Sequence, residues 1–239
     1  VRGMFTKNDK IGTIVVQFPK AAEIFKKYNI DFCCGGDRPL EQAFTEAKLN
    51  EKEILDQLNA YYAEYKQTLD EADKDWSQQS LTSLVEHIVE THHKYLDENL
   101  PSISELALKI LRVHGNKHPE LYRVHKLANM LRTELEQHLI VEEVEFYPVI
   151  KQFERTSRIQ DLTKIKNILE NLEDEHEAAG GILKELRNIT GNFVPPSDVC
   201  ASYQLTFKKL EELESDLFQH IHLENNILHP RLRTSLKAL

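Results

Sequence analysis

Five residues of this chain have the types and spacing that metal chemistry requires, His138, His176, His220, Glu142 and Glu224, and the first helix adds a sixth at His92 or His93. His138 and Glu142 are four apart, as are His220 and Glu224, so each pair lies one turn apart on one helix face. The offsets repeat: His138-x3-Glu142-x5-Pro148 matches His220-x3-Glu224-x5-Pro230. His93 precedes His138 by 45 residues and His176 precedes His220 by 44. This is the signature of two helix pairs related by a pseudo-twofold, each giving one lone histidine and one His-x3-Glu. Taken singly, a core histidine is usually structural and a His-x3-Glu is usually a surface pair. Two matched copies reverse that reading.

The physics follows from burial. A carboxylate or imidazole placed on a core-facing seam needs a partner to offset its lost hydration. A metal supplies one to several such groups at once. Four histidines and two glutamates exceed the three protein ligands of a catalytic zinc. They suit two metals bridged by two carboxylates, and imidazole with carboxylate favours iron or manganese. On the first helix the periodicity does not choose between His92 and His93. Asp97 and Glu145 are further carboxylates in helical register. Glu143 and Glu175 adjoin the ligand set in sequence and are candidates to orient ligands or carry protons. The remaining histidines (His87, His114, His118, His125, His222 and His229) read as surface or helix-end residues. Gly180-Gly181 stands where the other two helices place glutamate. Glycine there costs about 1 kcal/mol against alanine. Either it leaves room beside the metals for a small ligand, or it allows close helix packing.

These residues need long helices to position them. From Leu81 onward the apolar spacing predicts four, at about 81–112, 119–153, 159–190 and 197–235. Leu162, Ile165, Leu169, Leu172, His176, Ala179, Leu183 and Leu186 form one seam with steps of three and four. Pro101 is expected to break or kink the first helix, and Ser197 or Asp198 to cap the fourth. Residues 1–70 read as a small helical domain. It contains a tight turn at Asp31-Phe32-Cys33-Cys34-Gly35-Gly36-Asp37 and a capping box at Asn50 and Glu53. Residues 71–80 read as a linker and 81–239 as the bundle. No segment alternates with period two, so the fold class is all-α.

Bulk composition narrows the function. A formal net charge of −9 argues against a nucleic-acid partner, which requires a cationic footprint. No apolar run is long enough to span a membrane, and no signal peptide is read at the start. Three cysteines without framework spacing point to a reducing, cytoplasmic setting. Vicinal Cys33 and Cys34 cannot easily close a disulfide on each other. They are candidates for a redox or partner site, binding an iron, a nitrosyl or a partner's cluster. Cys200 reads as inert packing.

With these residues in view, the chain resembles the iron–sulfur cluster repair proteins, the RIC family of di-iron proteins. Tyr28-x2-Asp31-Phe32-Cys33-Cys34-Gly35-Gly36 resembles that family's ScdA-type N-terminal domain. His87-Ile88 through His93 to Leu100-Pro101, His138-x3-Glu142-Glu143, Glu175-His176-Glu177 and His220-x3-Glu224-Asn225-Asn226 resemble its hemerythrin-like four-helix bundle. The resemblance implies His93 rather than His92 as the first-helix ligand. It implies two non-haem irons per chain with an oxo bridge, and a role in repairing iron–sulfur clusters damaged by nitrosative or oxidative stress. Damaged iron–sulfur proteins and nitric oxide are the implied partners, and a homodimer is compatible with it. The alternative it carries is an enzyme that binds and reduces nitric oxide at the di-iron site, or a gas sensor. Oxygen-carrying hemerythrins have a fifth histidine where this chain has Gly180, which argues against oxygen storage.

Overall fold

Apolar residues recur at helical spacing, and glycine and proline fall between the runs. Accordingly, every regular element among the described residues is helical. The computed structural model describes residues 4–67 and 75–237. Part of the expected linker, residues 71–74, lies outside the described residues. In chain order the elements are α1 (Ile11–Gln17), α2 (Ala21–Lys27), α3 (Leu40–Glu46), α4 (Glu51–Gln67), α5 (Leu81–Ile88), π1 (Val89–His93) and α6 (Lys94–His114). They continue with α7 (Glu120–Val141), π2 (Glu142–Phe146), α8 (Tyr147–Thr156), α9 (Ile159–Ile189), α10 (Ala201–Leu223), π3 (Glu224–Leu228) and α11 (His229–Lys237). Here π marks five-residue wide turns set into otherwise α-helical rods. The chain divides into two compact units, Val1–Ser80 with Ile221–Ala238, and Leu81–His220.

In the first unit, Ile11, Ile14, Phe18, Phe25, Phe32, Leu40, Ile54 and Leu58 are buried. The Asp31 carboxylate folds the cysteine turn by accepting the N–H of Cys33 at 3.0 Å and of Cys34 at 3.1 Å. At the start of α4, Asn50 accepts the Glu53 N–H at 3.3 Å. The capping box is only half made, because the Tyr28 hydroxyl donates to the Glu53 carboxylate at 3.2 Å.

The second unit is a bundle whose core joins Leu96, Ile103, Leu131, Leu135, Leu183, Leu210 and Leu217. The whole α9 seam is buried, His176 included. The expected break at Pro101 and the expected cap of the last helix are corrected here. Pro101 lies inside α6 without ending it. Leu100 and Ile103 on either side are buried, and that packing holds the helix through the missing N–H. The last rod begins at Ala201, not at Ser197 or Asp198. Those two residues make a turn after Pro195-Pro196, and the Cys200 carbonyl takes the first free N–H groups, from Tyr203 and Gln204.

Rods α9 and α10 carry one site histidine each and are strapped by charge. The Arg187 guanidinium forks onto the Glu214 carboxylate, with Nε at 2.8 and 3.1 Å and Nη2 closer still. Glu214 is only 3% exposed. Removing the guanidinium strands a buried charge. Arg187→Ala is therefore expected to lower stability to urea by about 3–5 kcal/mol. Pairing Arg187→Met with Glu214→Leu should recover most of that. A loss no larger than an exposed ion pair gives would show that the strap does not hold the rods.

Candidate metal centre

The repeated His-x3-Glu-x5-Pro motif has a structural meaning. Glu142 opens π2 and Glu224 opens π3. In each, the residue just before proline closes a wide turn: Tyr147 N–H bonds to the Glu142 carbonyl, and His229 N–H to the Glu224 carbonyl. The next residue, Pro148 or Pro230, has no N–H to continue the α pattern and crowds the carbonyl four residues back. An extra residue in the turn relieves that crowding. Such insertions are found mostly at functional positions. The first rod carries one as well, with Lys94 N–H reaching the Val89 carbonyl across π1.

Five of the six expected residues converge in the second unit. Glu142 is fully buried, and its two oxygens face different imidazoles. Oε1 lies 3.2 Å from His138 Nε2, and Oε2 lies 3.2 Å from His93 Nε2 and 3.9 Å from His220 Nε2. His176 Nε2 is 3.1 Å from His138 Nε2. The ligand atoms of His93, Glu142 and His220 all lie within 4.8 Å of one another, as do those of His138, Glu142 and His176. Glu142 belongs to both sets. Glu224 is also fully buried and stands one turn beyond His220. By its contacts it falls in the first unit.

The outer nitrogens set the charge on the inner ones. His93 Nδ1–H donates to Glu143 Oε1 at 2.7 Å, and His138 Nδ1–H donates to Glu175 Oε2 at 2.6 Å. A carboxylate only accepts, so these bonds fix a ring proton on Nδ1 and turn each Nε2 inward. Each Nε2 faces a Glu142 oxygen at close range. Burial holds the His220 imidazole well below the usual histidine range, which favours its neutral form. Imidazole nitrogens gathered around a buried carboxylate form a donor set for cations, which bind in exchange for any Nε2 proton. The residues fit a pair of metal ions sharing Glu142.

Other expected residues sort as follows. Glu143 and Glu175 sit behind two histidines at the surface, 42% and 52% exposed. His92 is buried, bonds through Nδ1 to Asp216 at 2.9 Å, and stacks on His220 at 5.6 Å and 6°. Asp97 and Glu145 are exposed. A Cβ at Gly181 would meet nothing within 4 Å, so close packing does not account for that glycine. His222 and His229 are buried rather than superficial, because the rod that carries them is covered along this stretch. Tyr147 went unrecognised in the sequence: its hydroxyl lies 3.5 Å from His93 Nε2. Asp216 did too, and its four-residue spacing from His220 was the available signal.

The cysteines differ sharply. Cys33 and Cys34 form no disulfide, with their sulfurs 3.6 Å apart, and the Cys33 thiol donates to Asp31 at 3.3 Å. Burial pushes the Cys33 thiol well above its ordinary range. Cys200 is not packed as expected. It is exposed, because it sits in the turn before α10, with Sγ 3.2 Å from His114 Nε2. That hydrogen bond lowers its thiol pKa to about 7.

The first part of the chain, residues 7–62, matches ScdA_N, a domain of unknown function. Residues 84–232 match the hemerythrin HHE cation binding domain. The chain is 33% identical to an iron-sulfur cluster repair protein YtfE of Enterobacter sp., over 95% of this chain and 98% of that protein. It is 28% identical to an iron-sulfur cluster repair protein ScdA of Staphylococcus haemolyticus, over 94% and 98%. It is 33% identical to a probable iron-sulfur cluster repair protein of Haemophilus influenzae, over 93% and 96%. No helix among the described residues is long and apolar enough to cross a membrane.

The thiol contrast predicts a pH profile. Iodoacetamide should alkylate Cys200 at a rate that rises through a pH of about 7 and then levels, as thiolate replaces thiol. His114→Ala should move that midpoint up toward the ordinary thiol range. Cys33 should stay unreacted across the same window. Faster labelling of Cys33 than of Cys200, followed by peptide mapping, would overturn this assignment.

Proposed function

Because the chain belongs to the family that joins an ScdA_N domain to a hemerythrin HHE cation-binding domain, we propose that it is a di-iron protein serving the repair of damaged iron–sulfur clusters. The damage is of the kind nitrosative or oxidative stress inflicts, and the labile irons are the supply. One observation carries the reading: Glu142 offers one oxygen to each of two separate imidazole sets. His138 and His176 would hold one iron, and His93 and His220 the other. Glu142 would serve both, and Glu224 would add a second carboxylate to the set. His92 stays outside the set, because Asp216 and the His220 ring already fix it.

When bound, such a pair of irons supplies open coordination positions for a small ligand such as nitric oxide. The chain's own residues do the rest. Glu143 and Glu175 hold the Nδ1 protons and so aim each Nε2 inward. Both carboxylates are substantially exposed, so solvent screens their contribution to ligand basicity. A site oriented from the surface in this way suits iron that must leave again. Cargo iron would pass to an apo cluster protein, and Cys33 and Cys34 are the thiols available to receive a partner. A reducing, cytoplasmic setting would keep such thiols reduced.

Metal analysis is the direct test. The purified protein should carry about two irons per chain with oxo-bridged absorption. Glu142→Ala should lose both, since it serves both sets, whereas His93→Ala should lose one preferentially. Glu175→Gln should weaken iron binding by about 10–100-fold. One zinc and no colour would sink the di-iron reading. Labelled iron then separates supply from turnover. It should move to an apo cluster protein in a single turnover. If it stays bound while nitrous oxide accumulates, the chain is a nitric oxide reductase-type enzyme instead.

A further inference from the structure

Asn226 does work that the metal centre leaves unexplained. It lies in π3, two residues after Glu224. Its Nδ2 donates to the Phe32 carbonyl at 3.2 Å and to the Cys33 carbonyl at 3.3 Å. The same amide nitrogen is 3.1 Å from His222 Nδ1. One side chain thus grips the backbone of the vicinal-cysteine turn from inside the segment that Glu224 opens. The Phe32 ring meets the His222 ring edge-on at 5.9 Å, which seats the same turn a second time.

Two glycines are shaped around this amide. A Cβ at Gly12 would lie 2.6 Å from Asn226 Cγ and collide with Oδ1. A Cβ at Gly36 would lie 3.0 Å from Asn226 Cγ and also collide with Oδ1. Gly12 N–H donates to the Gly36 carbonyl at 2.7 Å, so α1 and the turn close on Asn226 together. The grip falls on the carbonyl of Cys33 itself and starts from a wide turn, whose hydrogen bonds are less regular than those of an α-helix.

We propose that Asn226 is a positioning residue that couples the Cys33–Cys34 turn to Glu224, so that metal loading and thiol reactivity control each other. The inference rests on the di-iron reading above. Coupling of this kind is reciprocal: whatever factor iron imposes on the turn, a modified turn imposes on iron binding. A turn pulled open at Cys33 drags the Asn226 amide, and with it the π3 backbone two residues from Glu224. A Glu224 drawn to a metal tightens the grip on the turn.

The experiment measures iodoacetamide labelling of Cys34 by peptide mapping, anaerobically, with apo protein and at saturating Fe(II). Iron content is determined in every sample. Fe(II) should slow Cys34 labelling by about fivefold or more. Asn226→Asp keeps the shape but removes both N–H donors, and it should bring the apo and loaded rates within about twofold. Gly12→Ala, which displaces the amide from the other side, should do the same. Adding Asn226→Ala to Gly12→Ala should restore the thermal stability that the added methyl costs. Protection by iron that persists unchanged in Asn226→Asp and Gly12→Ala means iron reaches Cys34 directly, and overturns the proposal. Iron that binds without altering Cys34 in the parent overturns the coupling alone. A parent that binds no iron overturns the di-iron reading and the coupling with it.

Discussion

The structure depends on one buried carboxylate. Glu142 is fully enclosed, and each of its oxygens stands 3.2 Å from a different imidazole nitrogen. An ionised carboxylate so placed is strongly unfavourable without a counter-charge. Exposed glutamates accept the Nδ1 protons of His93 and His138 at the far side of each ring, so each Nε2 is aimed inward at the carboxylate. The polarity of the whole centre follows. The Nδ1 protons lie outside and the Nε2 atoms point inside, toward a position that suits cations.

Backbone geometry answers to the same constraint. A strict α-helix fixes the directions of His138 and Glu142 about one turn apart and leaves no freedom to adjust the carboxylate. The wide turn opened by Glu142 supplies that freedom, and Pro148 keeps it from annealing back to α. The same construction recurs at Glu224 and Pro230. In this view the proline of each motif belongs to the centre although it binds nothing. It fixes where the register changes, and the register fixes where the glutamate points.

This also explains what could be read in the sequence. The all-α class, the four rods and the burial of His138, Glu142, His176, His220 and Glu224 follow from spacing, because α7, α9 and α10 keep helical periodicity through their histidines. Spacing could not separate His92 from His93. The reason is physical: π1 inserts a residue at that place and turns the helix by about 100°, so both histidines are buried on different faces. The start of the last rod was misplaced because Ser197 and Asp198 have capping chemistry but are spent on a turn after two prolines. The six remaining histidines were read as superficial, which fails for His222 and His229. Their burial depends on contacts far away in sequence, such as Phe32 against His222. No local pattern encodes these.

Thiol chemistry imposes a last condition. At rest, Cys33 is a neutral thiol donating to Asp31, and burial keeps it so. A neutral thiol is neither a metal ligand nor a nucleophile. For the vicinal pair to act, the Cys33 proton must leave, the Asp31 contact must break, and the turn must open to water. Asp31 also accepts the backbone N–H of Cys33 and Cys34, so the thiol cannot be released without loosening the turn as a unit. Cys200, with its pKa lowered to about 7, reports the opposite design: exposed, hydrogen-bonded to His114 and reactive at rest. The pair is therefore held in reserve by its fold, and its reactivity is a property of the turn's conformation, not of the sulfurs alone.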